Sequence, residues 1–439
     1  MNSISVPWSI FILILTILIY VICKKFLNTS RQKALLICFC ITIFLYSGIG
    51  IAYPQVDKFF IVYYFILILV VAITYTFIVH KNVKIIFSHA RISKIRCIDD
   101  FSFWNNKNTK KTFEFFFALY IMLRIISVVY PINRLSNFSL VFNSANNINN
   151  LIGANVTWID TICAWIQPLY FIGLFYVCKK VRYIALALGI DLFITLINTG
   201  YLSRYKIVVT VIICLLLYFN GDLNDGFISK TKKRRRIIVS VAIIGPILLY
   251  LMLVMMEARI TSGATFTVTN LIESEVGYPL QYNDIQNMAP ISTPKDFFLQ
   301  LLDSFVPIFP TPNYHMDLNV DFSQLYLGYG INVAWFSVLL PSVLGESFLI
   351  FGNYFFWIHG IIIGCLVALA YKMTRENKYT VILFYYYLTC VLTTGRAGYE
   401  QLSQSVLLNY VIFMISIHLI RYFIKNRLIL RKFRIYNNE

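Results

Sequence analysis

The feature that most constrains this chain is a succession of long apolar stretches separated by short polar and basic segments. Many approach the roughly 20 mostly apolar residues that an α-helix needs to cross a bilayer. Only 13% of the residues are charged, against about 25% in a soluble domain. This composition excludes a soluble globular protein, a disordered chain and a nucleic-acid-binding protein. The sequence predicts eleven transmembrane helices, at 6–22, 34–53, 59–79, 113–130, 158–177, 183–198, 206–219, 237–255, 351–371, 379–394 and 404–420.

Residues 331–344 (INVAWFSVLLPSVL) are apolar but short, and Pro341 lies among them. Their length fits a re-entrant or interfacial segment better than a span. With this segment left out of the count, the N-terminus is external and most lysines and arginines fall on the cytoplasmic side, as the positive-inside rule expects. Counting it as a span would place a basic cluster, 372–378 or 421–439, on the outer side.

The predicted fold is an all-α polytopic integral membrane protein with about 11 transmembrane helices and one large outer loop. Residues 1–255 form helices one to eight with basic cytoplasmic loops, 256–350 form the outer loop, and 351–439 form helices nine to eleven and a basic tail. Within the loop, 295–309 (KDFFLQLLDSFVPIF) has apolar residues near helical spacing, which predicts an amphipathic helix on the bilayer surface. No internal repeat is visible, so an inverted-repeat transporter is not favoured.

Lysine and arginine are uncommon on the outer side of membrane proteins, so the basic residues predicted there are candidates for a functional role. Arg204, Arg259 and Arg396 each lie within about a turn of a predicted span end, at the depth of lipid headgroups. A guanidinium fork binds phosphate oxygens in a bidentate manner, so three of them could hold a diphosphate. The alternative is that each arginine anchors its helix to lipid phosphates. Arg134 lies in a longer polar loop and is expected to tolerate alanine.

Glu346 lies at the predicted boundary of the span that begins near 351. A carboxylate there is costly unless it is used or paired. It could orient an acceptor hydroxyl, act as a general base, or pair with Arg396. Tyr399, Glu400 and His315 are further substrate-binding candidates, although Glu400 could instead be a helix partner of Arg396 four residues earlier, and a lone outer-loop histidine is weak evidence for a base.

Arg124 and Asp191 are the clearest ionisable residues inside predicted spans, and we interpret them as a structural bridge between the fourth and sixth spans. His359, also inside a span, is expected to make a helix–helix contact. The chain has no DxD, GxxxxGK[ST], HExxH or GxSxG motif, and its nine cysteines show no metal-ligand spacing. We therefore expect no metal, no cofactor and no structural disulfide.

Three stretches resemble a known family. PSVLGESFLIFGNYFFWIHGIIIGCLVAL, which contains Glu346, looks like the boundary motif of the O-antigen and capsular repeat-unit polymerases (Wzy-type). INTGYLSRYKIVVTVIICLLLYF is similar to the family's T-G-S-R junction, with Tyr201 and Leu202 inserted before Ser203. GRAGYEQLSQ, with Arg396, is similar to its late arginine-containing outer loop.

The resemblance implies a metal-independent membrane glycosyltransferase in a bacterial cytoplasmic (inner) membrane, with its active site facing the periplasm or outside. Such an enzyme transfers a glycan from undecaprenyl diphosphate to a new lipid-linked repeat unit, building O-antigen of lipopolysaccharide or capsular polysaccharide. Its implied partners are the two lipid-linked glycans, membrane lipids and a polysaccharide chain-length regulator. For this reaction the candidate catalytic residues are Arg204, Arg259 and Arg396, chosen for their position at headgroup depth, and Glu346.

Two alternatives stay open. An O-antigen ligase would share the outer loop and the arginines but transfer the glycan to lipid A core sugars. A lipid-linked oligosaccharide flippase would need a central cavity instead of an outer-loop site. A membrane acyltransferase is a weaker third, because only His359 could supply its intramembrane histidine.

Overall fold

The computed structural model describes more than half of the chain. At several helix positions, Arg204 and Arg396 among them, it describes the backbone alone. The predicted amphipathic helix at 295–309 lies outside the described residues, as does the predicted span at 237–255 apart from two positions. The described residues are 5–80, 101–130, 133–135, 157–178, 180–199, 204–219, 246, 250, 282–288, 290, 318–328, 341–374, 377–398 and 402–436.

The described part of the chain is almost entirely helical and contains no strand. Two π-helical turns, Phe44–Gly48 and Gln404–Leu408, occur among the α-helical residues. The helices are α1 (Val6–Lys24), α2 (Ser30–Ile51), α3 (Phe60–His80), α4 (Phe101–Asn105), α5 (Lys107–Ile126), α6 (Trp158–Cys178), α7 (Val181–Thr199), α8 (Arg204–Phe219), α9 (Tyr282–Met288), α10 (Leu318–Leu327), α11 (Ser342–Thr374), α12 (Val381–Ala397) and α13 (Asn409–Tyr436).

Helices occupy each of the predicted spans that the described ranges cover. Within those ranges, seven helices are long and apolar enough to cross a membrane. The others that match a predicted span are α8 and α12, which have 16 and 17 residues, and α5, whose first turns carry three lysines. The chain is therefore an all-α, multi-pass membrane protein, and the number of eleven spans stays a prediction.

Hydrogen bonds between helix ends define two ends of the bundle. At one end, Ser5 N donates to Ala52 O (3.1 Å). At the other, Arg31 Nη1 donates to Thr374 O (2.5 Å), and Tyr379 OH donates to Asn105 Oδ1 (2.5 Å). We call these the Ser5 end and the Arg31 end.

A close helix contact forms the centre of the bundle. Gly360 and Gly364 are four residues apart on α11 and both face α3. A Cβ at Gly364 would lie 2.9 Å from Val71 O, so the two backbones approach more closely than any side chain there would allow. This small-residue spacing drives helix packing in membranes, where burial from water supplies no force.

Helix α11 is broken at Gly352, which has φ 69° and ψ −177°, a conformation nearly restricted to glycine. The break divides α11 into a short arm (342–351) and a long arm (353–374). Ser347 Oγ and His359 Nδ1 are 2.8 Å apart, whereas twelve residues of straight helix would separate them by about 18 Å. The short arm therefore folds back on the long arm as a helical hairpin.

The short arm differs from the predicted re-entrant segment. The predicted segment ends at 344, whereas the folded-back helix continues to 351. Residues 331–340 lie outside the described residues. Every residue from 341 to 350 is buried, so the short arm has no lipid-facing side. The predicted helix–helix contact of His359 is confirmed by its bond to Ser347.

Candidate functional site

The short arm carries the buried carboxylate of Glu346, which is 1% exposed. This carboxylate faces Gly398, where an added Cβ would overlap both of its oxygens. Gly398 ends α12 with φ 79° and ψ −170°, again a conformation that glycine alone adopts easily. The backbone two residues after Arg396 is thus in direct contact with the Glu346 side chain.

A hydroxyl cluster fixes the start of the short arm. Ser342 Oγ lies 2.7 Å from Tyr282 OH on α9 and 3.1 Å from Ser47 Oγ on α2. Burial raises the pKa of the Tyr282 phenol to about 12, so this hydroxyl is protonated near neutral pH, and either oxygen of the pair with Ser342 can be the donor. Ser342 itself has φ 64°, which is uncommon for a residue other than glycine and shows how firmly the arm is held.

An aromatic wall lies on the other side of the arm. The ring of Phe348 packs against Tyr63 (5.0 Å between centroids), Phe60 (5.6 Å) and Phe356 (5.5 Å). Such contacts restrict the orientation of the arm beyond what burial alone would do. Glu346 is consequently positioned by rigid neighbours on α2, α3, α9 and α12.

The structure places two of the predicted arginines at helix ends. Arg204 is the first residue of α8, and Arg396 lies in the last turn of α12, not in a loop. The predicted pair between Glu346 and Arg396 stays a prediction, because only the Arg396 backbone is described. The remaining candidates, Arg259, His315, Tyr399 and Glu400, lie outside the described residues.

One proposed role of Glu400 is wrong. A helix pair with Arg396 requires both residues on one helix, four positions apart. Helix α12 ends at Ala397, and Gly398 has a non-helical backbone. The helix therefore stops before it can present the two side chains on a common face.

The Ser5 end of the bundle contains three of the candidate residues, Arg204, Glu346 and Arg396. Glu346 and the end of α12 meet there, next to the contact between Ser342 and Ser47. Helix α5 begins at the Arg31 end, so its last turn, with Arg124, lies toward the Ser5 end. Thr195, near the end of α7, bonds Arg124, and α8 begins with Arg204 five residues after α7 ends.

A second polar group, which we call the charged cluster, joins α5, α6 and α7. Arg124 Nε donates to Asp191 Oδ1 (3.0 Å), and Tyr120 OH donates to the same oxygen (3.1 Å). The predicted bridge between Arg124 and Asp191 is confirmed. The cluster also includes Asp160, whose Oδ1 is 3.9 Å from Arg124 Nη1, and Arg134.

The structure contradicts the premise of the Arg134 prediction, which placed this residue in a polar loop away from the ends of the spans. Its side chain is buried, and its two terminal nitrogens donate to Asp160 Oδ1 (3.2 Å) and Oδ2 (2.9 Å). The backbone bends back beneath α5, with Arg134 N donating to Val128 O (2.8 Å). The sequence contained both residues, but nothing in their spacing indicated that the loop would return to the start of α6.

A cavity of about 290 Å³ adjoins the charged cluster. Asp160 and Asp191 keep 20% and 16% of their side-chain surface exposed, while Arg124 keeps 9%. The wall combines charged, polar and aromatic groups, chiefly Arg124, Asp160, Gln167, Phe171, Asp191 and Tyr386. Ionised groups at membrane depth that are not fully covered require a polar occupant, either water or a ligand.

The described residues thus define a multi-pass helical membrane protein with two polar sites toward one end, one around Glu346 and one in the cavity. Among the residues that the structure covers, no three His, Cys, Asp or Glu side chains come together as a metal site would need. Comparisons with known protein families, curated proteins and solved structures found no match to this chain.

Proposed function

We propose that this protein is a membrane glycosyltransferase that polymerises undecaprenyl-diphosphate-linked oligosaccharide repeat units into O-antigen or capsular polysaccharide. The observation that carries the proposal is the contact of the buried Glu346 carboxylate with Gly398, two residues after Arg396. The two sequence stretches that resemble the polymerase family at these positions, far apart in the chain, meet in the fold. Arg204, in the third such stretch, begins a helix toward the same end.

The orientation follows from charge. In this proposal the Arg31 end faces the cytoplasm of a bacterium and the Ser5 end faces the periplasm or the outside. The basic residues described near the Arg31 end support it: Lys24, Lys25, Arg31, Lys33, Lys107, Lys110, Lys111, Lys180, Arg182, Lys372 and Lys378.

The proposed reaction needs a carboxylate and several cations at headgroup depth. A hydroxyl oxygen of the acceptor glycan attacks the anomeric carbon of the donor glycan, and the bond from that carbon to undecaprenyl diphosphate breaks. Glu346 accepts the hydroxyl proton. Arg204, Arg259 and Arg396 stabilise the negative charge that grows on the leaving diphosphate, a contribution of a few kcal/mol for each donor.

The experiment compares two isosteric substitutions. Glu346→Gln removes the proton acceptor and should lower polymerisation at least about 100-fold, the size of a general-base contribution. Glu114→Gln changes an exposed carboxylate whose pair with Lys110 is 3.6 Å long and should behave as wild type. The readout is the length of the polysaccharide ladder per amount of membrane-embedded protein. A wild-type ladder from Glu346→Gln would contradict the proposed role.

A second candidate function is a lipid-linked oligosaccharide flippase, which the cavity beside the charged cluster favours. A strain that lacks the gene separates the candidates. Loss of long chains with one repeat unit retained on the surface is expected of a polymerase. Loss of every repeat unit would indicate a flippase or the O-antigen ligase.

A further inference from the structure

We propose that the cavity beside the charged cluster is a binding subsite for one neutral sugar residue of the lipid-linked glycan. This inference rests on the proposed function and deepens it, because it assigns a substrate group to residues that the resemblance leaves without a role. The first support is charge. Arg124 and Arg134 are balanced by Asp160 and Asp191, so the cluster has no net charge with which to attract a diphosphate.

The second support is the hydrogen-bonding capacity of the wall. Two donors among the described residues, Arg124 Nε and Tyr120 OH, both bond Asp191 Oδ1. The other carboxylate oxygen, Oδ2, can therefore accept a hydrogen bond from a ligand. Gln167 also lines the cavity, and its amide can both donate and accept. Sugar hydroxyls need this combination, whereas a phosphate oxygen would be repelled by Asp191.

The third support is the shape of the site. Phe171 and Tyr386 both line the cavity, with ring centroids 4.9 Å apart, and aromatic rings suit contact with the C–H side of a sugar ring. Small-molecule pockets usually measure about 300–1,000 Å³. A volume of about 290 Å³ is at the lower limit and fits a group the size of a single ring.

The cavity is also within reach of the Glu346 site. Cys390 on α12 lines the cavity, and Gly398, eight positions later and just past the end of α12, contacts the Glu346 carboxylate. That spacing corresponds to about 12 Å along the helix, a distance that an oligosaccharide can span. A glycan held in the cavity could therefore present another of its sugars at Glu346.

The test measures binding as well as polymerisation. The probe is the lipid-linked single repeat unit isolated from the strain that lacks the gene, compared with undecaprenyl diphosphate without sugar. The purified full-length protein carries Gln167→Leu, which removes the amide at similar size. Gln324→Leu, on α10 away from the cavity, is the matched control.

We expect wild type and Gln324→Leu to bind the repeat-unit lipid at least about tenfold more tightly than undecaprenyl diphosphate, and Gln167→Leu to lose most of this difference. Gln167→Leu should leave the affinity for undecaprenyl diphosphate unchanged and shorten the ladder. Equal weakening of both lipids would place the diphosphate in the cavity and overturn the proposal. No change with either lipid would mean that water alone occupies it, which would also overturn the proposal.

Two outcomes separate the sugar subsite from the polymerase assignment. If Gln167→Leu binds and polymerises as wild type while Glu346→Gln loses the ladder, the sugar subsite is refuted and the polymerase assignment stands. If deletion of the gene leaves the ladder unchanged, the polymerase assignment itself is refuted.

Discussion

Glu346 and Gly398 are 52 positions apart in the chain, yet the carboxylate of the first occupies the space that a side chain at the second would need. Glu346 lies on the short arm, which ends at the break at Gly352, and its carboxylate contacts a second break at the end of α12. Both breaks adopt conformations that suit glycine. The position of the carboxylate is therefore set by backbone geometry.

The first prediction tests this contact. Gly398→Ala should abolish long polysaccharide chains, because the added methyl group overlaps the Glu346 carboxylate. Gly328→Ala is the control, since Gly328 has a similar φ of 73° with no atom near its Cβ position. Both variants place a side chain at a positive φ, at a cost of about 1–3 kcal/mol, but only Gly398→Ala also brings a methyl group into the Glu346 carboxylate. Equal ladders would contradict it.

The second prediction separates a diphosphate site from membrane anchors. Alanine at Arg204, Arg259 or Arg396 should lower polymerisation at least about tenfold, the loss of one modest charge-assisted contact. Lysine should restore activity only partly, because it lacks the bidentate fork. The measurement is ladder length per amount of membrane-embedded protein.

The control for these arginines is Arg182, which is exposed near the Arg31 end, with its nearest described contacts to Tyr183. Arg182→Ala should leave the ladder unchanged. Full rescue by all three lysine variants would show that the arginines are anchors.

The third prediction concerns the charged cluster. Arg134→Ala should lower the free energy of unfolding by about 2–4 kcal/mol, somewhat less than for a fully buried pair because Asp160 keeps part of its surface exposed. Lys110→Ala, which removes an exposed pair with Glu114, should change it by no more than about 0.5 kcal/mol. Thermal unfolding of the purified protein measures both, and similar melting temperatures would refute the structural role.

The fourth prediction tests the close packing of α11 on α3. Gly364→Val should lower the unfolding temperature and the amount of protein in the membrane, since its side chain would collide with Val71 and Thr74 and overpacking costs about 1–3 kcal/mol. Gly189→Val places the same side chain in open space on α7. Comparable losses in both variants would point to helix propensity instead of packing.

The fifth prediction is topological. A reporter that works only outside the cytoplasmic membrane should be active when fused near residue 290 and inactive near 100, 232 or 376. Activity at 376 would mean that 331–344 spans the membrane and that the eleven-span prediction is wrong.

The sequence predicted those features that depend on a single physical requirement, such as the length of an apolar span or the pairing of a charge in the membrane. Helices α1 and α3 fall within two residues of the predicted spans at 6–22 and 59–79, because apolar runs bounded by polar residues leave few alternatives. The bridge between Arg124 and Asp191 followed from the cost of an unpaired charge in a membrane. These inferences needed no knowledge of how the helices pack.

The sequence did not predict the contacts between segments that are far apart in the chain. The predicted span at 351–371 begins beside Gly352, but nothing in the sequence indicated that the short arm would fold back on the long arm. The burial of Arg134 likewise depends on a bend that brings it to Asp160. Both features arise from tertiary contacts, which hydropathy and charge patterns do not encode.

The complete burial of the short arm has a consequence for biosynthesis. Ten residues of helix reach about 15 Å, half of a bilayer core of about 30 Å, so the arm is too short to be inserted as a span of its own. The contacts that bury the arm include Gly398, which leaves the ribosome after the arm does. The short arm therefore cannot reach its final position until α12 has been synthesised. The pocket around Glu346 is consequently among the last parts of the protein to fold.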